Sequence, residues 1–194
     1  MADQIDYVGS TIIAGIVAII VFSLNASTTQ TAYTRNAEQI SQDAATNMME
    51  ILEYDFYKMG YRVTAGEKIM VAESLRISFA ADLNNSGTPA TVTYTVGDST
   101  QLQVTSNIHD RPLFRTVNSG ASANIVQGLT NFSLAYFDTG GHKMSYSSLD
   151  ISANRAVIRG ITVTVTVELG NPLDTTYVPV RMSKQIWPKN LGIW

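Results

Sequence analysis

Residues 7–24 read YVGSTIIAGIVAIIVFSL, eighteen positions without a charge and dominated by Ile, Val, Ala and Gly. That run reaches the lower limit of length for a helix that crosses a bilayer. The chain stays uncharged through residues 25–34, so no formal charge falls between Asp6 and Arg35. A helix bathed in water carries charges along one face; this one carries none, and it calls for shelter in lipid or in other protein. Only Asp3 and Asp6 precede it, without the Lys or Arg that opens a cleavable secretory signal, so the segment is expected to be retained. Sheltering such a helix in other protein removes on the order of 1,000 Å² of apolar surface from water, worth ~25 kcal/mol before entropy.

Tyr7, Val8, Ser10, Ile12, Ile13, Ala14, Ile16, Val17, Ile19, Ile20, Val21, Phe22 and Leu24 are accordingly read as an assembly interface. Ser10, Ala14 and Ala18 recur four apart, as do Thr11 and Gly15. Small residues at that spacing let a neighbouring helix approach closely, although the spacing also arises wherever Ala, Ser and Gly are abundant. Asp3 and Asp6 have two readings. They offset the dipole at a helix N-terminus, or one of them meets the N-terminal amine of a neighbouring copy where apolar helices stack and a low dielectric strengthens the pair.

Beyond Thr34 the pattern becomes amphipathic. Ile40, Ala44, Met48, Ile51, Leu52, Phe56 and Met59 recur at intervals of three and four, while Arg35, Glu38, Gln42, Asp43, Glu50, Glu53 and Lys58 fall mostly elsewhere. Gly60 reads as the stop, able to take a left-handed conformation. Residues 4–59 are therefore predicted to form one helix of ~80 Å at 1.5 Å per residue. Its second half is core and its first half is anchor.

From about Ile69 the period changes to two. Val92, Tyr94 and Val96 alternate with Thr91, Thr93 and Thr95, and Gly97-Asp98 reads as a hairpin turn into residues 101–104. Leu129–Phe137, residues 157–169 and Tyr177–Ile186 are further strand candidates. The clearest places Ile161, Val163, Val165 and Val167 on one face and Thr162, Thr164 and Thr166 on the other. Strands that follow a single helix without alternating βαβ units predict an α+β fold, with an antiparallel sheet packed on the helix. The chain divides into an apolar helix over 1–34, its amphipathic continuation over 35–60 and a β-rich head over 61–194.

Composition narrows the chemistry. The 194 residues, 21.1 kDa, suffice for one compact domain and one extended element. A net charge of -3 and a pI near 5.3 give no attraction for a polyanion, so nucleic acid is not an expected partner. There is no cysteine, and the two histidines, His109 and His142, lie far apart. No Gly-rich phosphate loop, Gly-x-Ser-x-Gly elbow or HExxH pair is present. Glu50 and Glu53 read as a solvated helix face, His109 as a loop residue before Pro112, and His142 as an exposed turn residue beside Gly140-Gly141. Phe79, Tyr94, Phe114, Phe132, Tyr136 and Phe137 read as core; Trp187 and Trp194 pack on the helix or on a neighbouring copy. Asp82, Asn84, Ser86 and Gly87 match the opening of a calcium loop, but its twelfth position is Thr93 where a bidentate Glu belongs. The stretch reads first as a polar turn and second as a calcium site on Asp82, Asn84 and Ser86. No other cofactor is expected, and the chain is read as not an enzyme.

The sequence LEYDFYKMGY at residues 52–61 resembles the helix end of type IV pilin-like proteins, in particular minor pilins and J-class pseudopilins. Asp55, Phe56, Tyr57, Lys58, Met59, Gly60 and Tyr61 carry the likeness. LTNFSLAYFDTGG at 129–141, RAVIRGITVTVTVEL at 155–169 and VRMSKQIWPKNLG at 180–192 resemble later strands of the same family, in the same order. The family opens its mature chain with Glu at the fifth position; here Ile5 stands there, and Asp3 or Asp6 would substitute for it. The resemblance implies a homo-oligomeric subunit of a helical extracellular filament, a type IV pilus or pseudopilus. It would be held in the inner membrane before assembly, with other pilins and the assembly machinery as partners, and then displayed at the cell surface. The rival expectation is a membrane-tethered monomeric binding module with an exported head.

Overall fold

A computed structural model of the chain describes residues 2–102, 105, 107–170 and 177–192, and of residues 2–6 and 170 the secondary structure alone. The fold is α+β. One helix, α1 (Ala2–Tyr57), runs 56 residues without a break, about 84 Å at 1.5 Å per residue. It is followed by β1 (Ile69–Ala72), β2 (Arg76–Ala81), β3 (Ala90–Val96), β4 (Leu113–Val117), β5 (Ala123–Asn124), β6 (Leu129–Phe137), a single turn α2 (Ser152–Arg155), β7 (Gly160–Gly170) and β8 (Tyr177–Ile186).

The strands form two antiparallel sheets where the sequence reading expected one. The first has the order β1-β2-β3-β4-β5 and the second β6-β7-β8. α1 packs on β7 and β8. The alternation of β7 is as expected, with Ile161, Val163, Val165 and Val167 fully buried and the three threonines between them half-buried. The sheets are pinned where β6 passes the β1–β2 turn. There the Leu134 amide donates to the Ser74 carbonyl at 2.9 Å and the Tyr136 hydroxyl to the Glu73 carbonyl at 2.9 Å. β8 is an outer strand whose partner is β7, and it carries Pro179, Arg181 and Lys184.

Several expectations need correction. Gly97-Asp98 does not turn a hairpin into residues 101–104. Asp98 instead accepts from the Thr100 amide and caps a 3-10 turn over Ser99–Gln101, and β3 takes its second partner from β4. Gln103 and Val104 lie outside the described residues. The buried stripe of α1 is also rotated from the one read in the sequence: Ile40 and Ile51 are exposed, and Ala37, Ser41, Ala45, Met48, Met49, Leu52, Asp55, Phe56 and Met59 are buried. Among the expected core aromatics, Phe79, Tyr94, Phe132 and Tyr136 are buried, whereas Phe114 and Phe137 are partly exposed. Trp187 is 43% exposed, its ring against Phe137 and over Gly160, where a Cβ would come within 2.8 Å of it.

The end of α1 shows why its residue types recur in that order. Phe56 stands edge-on to Phe79 and Tyr94, both at 5.7 Å between centroids, and so joins the helix to the first sheet. Gly60 takes φ +77, its amide bonds the Ala80 carbonyl at 2.8 Å, and a Cβ there would meet the Asn190 carbonyl oxygen at 3.0 Å. Ser41 ties the helix to the second sheet. Its hydroxyl donates to the Ala37 carbonyl at 2.9 Å and accepts from the Leu169 amide at 3.2 Å. Phe56→Ala is expected to destabilise the head by ~3–5 kcal/mol, the usual cost of emptying a buried aromatic site, and Ile51→Ala by under about 1 kcal/mol. Denaturant titration of the full chain in detergent checks both.

Candidate functional site: the uncovered half of the long helix

The interface residues named from the sequence all fall on one uncovered stretch of α1. Tyr7, Val8, Ile12, Ile13, Ile16, Val17, Ile19, Ile20, Val21, Phe22 and Leu24 are exposed, Phe22 to 77%, and so are Ser10 and Ala14. The most apolar eighteen-residue window of this helix has a mean hydropathy of 2.3, and none of it is buried against the rest of the molecule. The helix is thus long enough and apolar enough to cross a membrane. Ser10, Ile13, Ala14, Val17, Ala18 and Val21 line a shallow apolar groove along it. Asp3 and Asp6 sit in the first turns of α1; their side chains lie outside the described residues, as does Trp194.

A helix placed in an apolar medium must satisfy its polar groups internally, and several hydroxyls of this one do so. The Ser10 hydroxyl donates to the Tyr7 carbonyl at 3.0 Å and the Thr11 hydroxyl to the Val8 carbonyl at 2.9 Å. In the uncharged extension, Thr28, Thr29 and Thr31 donate to Leu24, Asn25 and Ser27, each at 2.9 Å, and Thr34 donates to Gln30 at 3.0 Å. These hydroxyls bond carbonyls one turn back and offer little unsatisfied polarity to whatever surrounds the helix. Their spacing was visible in the sequence; the internal bonding was not read from it.

The calcium candidate resolves into a closed polar turn. Asp82 Oδ1 accepts from the Ser86 amide at 2.9 Å, and Oδ2 from the Gly87 amide at 2.9 Å and from Arg62 Nη1 at 3.1 Å. Asn84 Oδ1 accepts from the same Ser86 amide at 3.3 Å. Burial works against the ionised Asp82 carboxyl, but the Gly87 and Ser86 amides and Arg62 outweigh it and hold the group below its usual range. With donors on both oxygens and a guanidinium facing it, this carboxylate is set to receive N–H groups.

Where α1 meets the head, the sequence reading missed a buried polar cluster. Asp55, 2% exposed, accepts from the Tyr94 hydroxyl at 2.6 Å and from Arg115 Nε at 2.7 Å. Asp55 lies three residues from Leu52 and seven from Met48, an interval that puts it on the buried face and is the signal the sequence carries for it. Glu53 pairs with Lys184 of β8. His142 is exposed and faces Asp138 at 3.4 Å. Among the described residues no three His, Asp or Glu side chains converge as metal ligands. Comparison with protein-family models, with curated proteins and with solved structures finds no match to this chain.

Removing Asp55 strands a partly buried guanidinium and a phenol. Asp55→Ala is expected to cost about 3 kcal/mol, the lower end for a broken buried pair because Arg115 keeps some solvent. Burial first, and then the charge and hydrogen bond of Asp55, push the Tyr94 phenol well above its ordinary 10.0. The folded state therefore holds this proton more tightly than the unfolded chain does. The stability it confers is complete below pH 10 and drains away as pH rises beyond it. Thermal melts from pH 8 upward are expected to show that decline, with a shallower slope in Tyr94→Phe.

Proposed function

We propose that the chain is a structural subunit of a type IV pilus-like or pseudopilus filament, assembled by bundling the uncovered half of α1 while the β-rich heads face outward. The observation that carries this reading is a single continuous helix whose one half is locked to the head and whose other half is bare, uncharged between Asp6 and Arg35, and bonds its threonine hydroxyls to carbonyls one turn back. Water is a poor medium for that half, and other copies of it are a good one. A membrane supplies the same shelter before assembly. The order of motifs along the chain, from LEYDFYKMGY to VRMSKQIWPKNLG, supports the same reading through its resemblance to minor pilins and pseudopilins. A scaffold role also accords with the polar clusters of the head, where Asp55, Asp82 and Glu53 are engaged by Arg115, Arg62 and Lys184.

The test is assembly itself. Sheared surface material from cells making the protein is expected to pellet as fibres visible by electron microscopy. Val17→Asp places a charge in the middle of the apolar run at a cost of about 2.5–3.5 kcal/mol on membrane-insertion scales. It is expected to lower the sedimentable protein by more than about tenfold, with the head's near-UV circular dichroism unchanged. Single particles in mild detergent, together with no fibres from the unaltered chain, would favour the tethered monomeric module.

A further inference from the structure

We propose that the outward face of β6, β7 and β8 is a saccharide-binding surface, with Trp187 as the stacking platform for a neutral hexose. In this sheet Leu134, Tyr136, Ile161, Val163 and Ile186 are buried, so the residues that alternate with them point the other way. The outward residues stand in cross-strand rows. Phe137 is paired with Gly160, and Trp187, one residue past β8, continues that row. Thr162 is paired with Ala135 and Gln185 in the next, and Thr164 with Ser133 and Ser183 in the one after. Trp187, Gln185 and Ser183 are exposed, and Phe137, Thr162 and Thr164 half-buried. No side chain in these three rows is charged.

A Cβ on Gly160 would lie 2.8, 2.9 and 2.9 Å from three consecutive ring carbons of Trp187, Cζ3, Cε3 and Cη2. A point almost equidistant from three adjacent ring atoms lies over the face of the ring, not beyond its edge. The indole is therefore laid flat on the Gly160 backbone, in space that any side chain would fill, and its opposite face is turned to solvent, leaving Trp187 43% exposed. Phe137 supports its flank, with centroids 6.4 Å apart and planes at 45°. An aromatic ring seated in this way offers contact area at little cost in conformational entropy. A hexose carries C–H groups on its faces and hydroxyls around its rim. The first match a bare aromatic face, and the second match groups that both donate and accept. Gln185 and Thr162 supply an amide and a hydroxyl in the row beside the platform. Thr164 and Ser183, whose hydroxyls bond one another at 3.0 Å, supply two more in the next. Rows on one face of a strand are ~6.8 Å apart, so the three rows span ~14 Å, room for several linked rings. A phosphorylated or carboxylated chain would call for cations that these rows lack.

The experiment is calorimetric titration of the full chain, held in a detergent whose headgroup is not a sugar, with cellohexaose, laminarihexaose and maltohexaose. Saturable binding of at least one is expected. Trp187→Ala is expected to weaken that binding about tenfold and Gln185→Ala about threefold. In Trp194→Phe the only indole left is Trp187, and its emission is expected to shift as the sugar saturates. If Trp187→Ala does not fold, Gln185→Ala, on an exposed strand position, decides together with the emission shift. Binding of none of the three sugars overturns the proposal, as does undiminished binding in Trp187→Ala or an unmoved Trp187 emission at saturation. Fibre yield that falls in Trp187→Ala without any sugar bound assigns the face to a neighbouring copy and overturns it too.

Discussion

Everything in this molecule depends on the seating of residues 37–57 of α1 against the head. Most of a helix's stability in a protein comes from packing one face, and only the second half of this 56-residue helix has a face to pack. Here the second half is fixed by apolar packing on β7 and β8, by Phe56 between two aromatic rings of the first sheet, and by Ser41 hydrogen-bonded to Leu169. The head thereby acts as a clamp on one end of a long rod. The bare end of the rod leaves the head in a direction that these contacts set.

The clamp has a polar component as well as an oily one. Asp55 is buried in the same turn as Phe56, and its carboxylate collects Tyr94 from β3 and Arg115 from β4. A buried ion pair adds little net stability over a well-packed apolar equivalent. It does discriminate between registers: sliding or rotating the helix by one residue would separate Asp55 from both donors and leave three polar groups dry. The apolar contacts press the helix onto the head, and the Asp55 cluster specifies at which angle.

Much of this was legible in the sequence because periodicity and charge are one-dimensional signals. The uncharged run of 7–34, the switch to a period near 3.6, the stop at Gly60 and the alternation in β7 each follow from local residue choice. What depended on distant partners was not legible. Ile40 and Ile51 are as apolar as Met48, and only the position of β7 and β8 shows that they face away. Residues 97–104 carry turn residues in hairpin order, yet Asp98 caps a 3-10 turn and β3 pairs with β4 across sixteen intervening residues. The opening of a calcium loop at Asp82 is likewise a local pattern. What the pattern could not show is Arg62, whose guanidinium reaches Asp82 from the turn after α1.

The outer strand β8 has a consequence for how copies of this chain can meet. Open strand edges invite the edges of other molecules, and continuous rows of donors and acceptors would let heads zip together sideways into sheets of indefinite width. Pro179 removes one donor from that row, and Arg181 sets positive charge beside it. Lateral strand exchange between heads is thereby discouraged, and crowding many copies together need not cause them to precipitate.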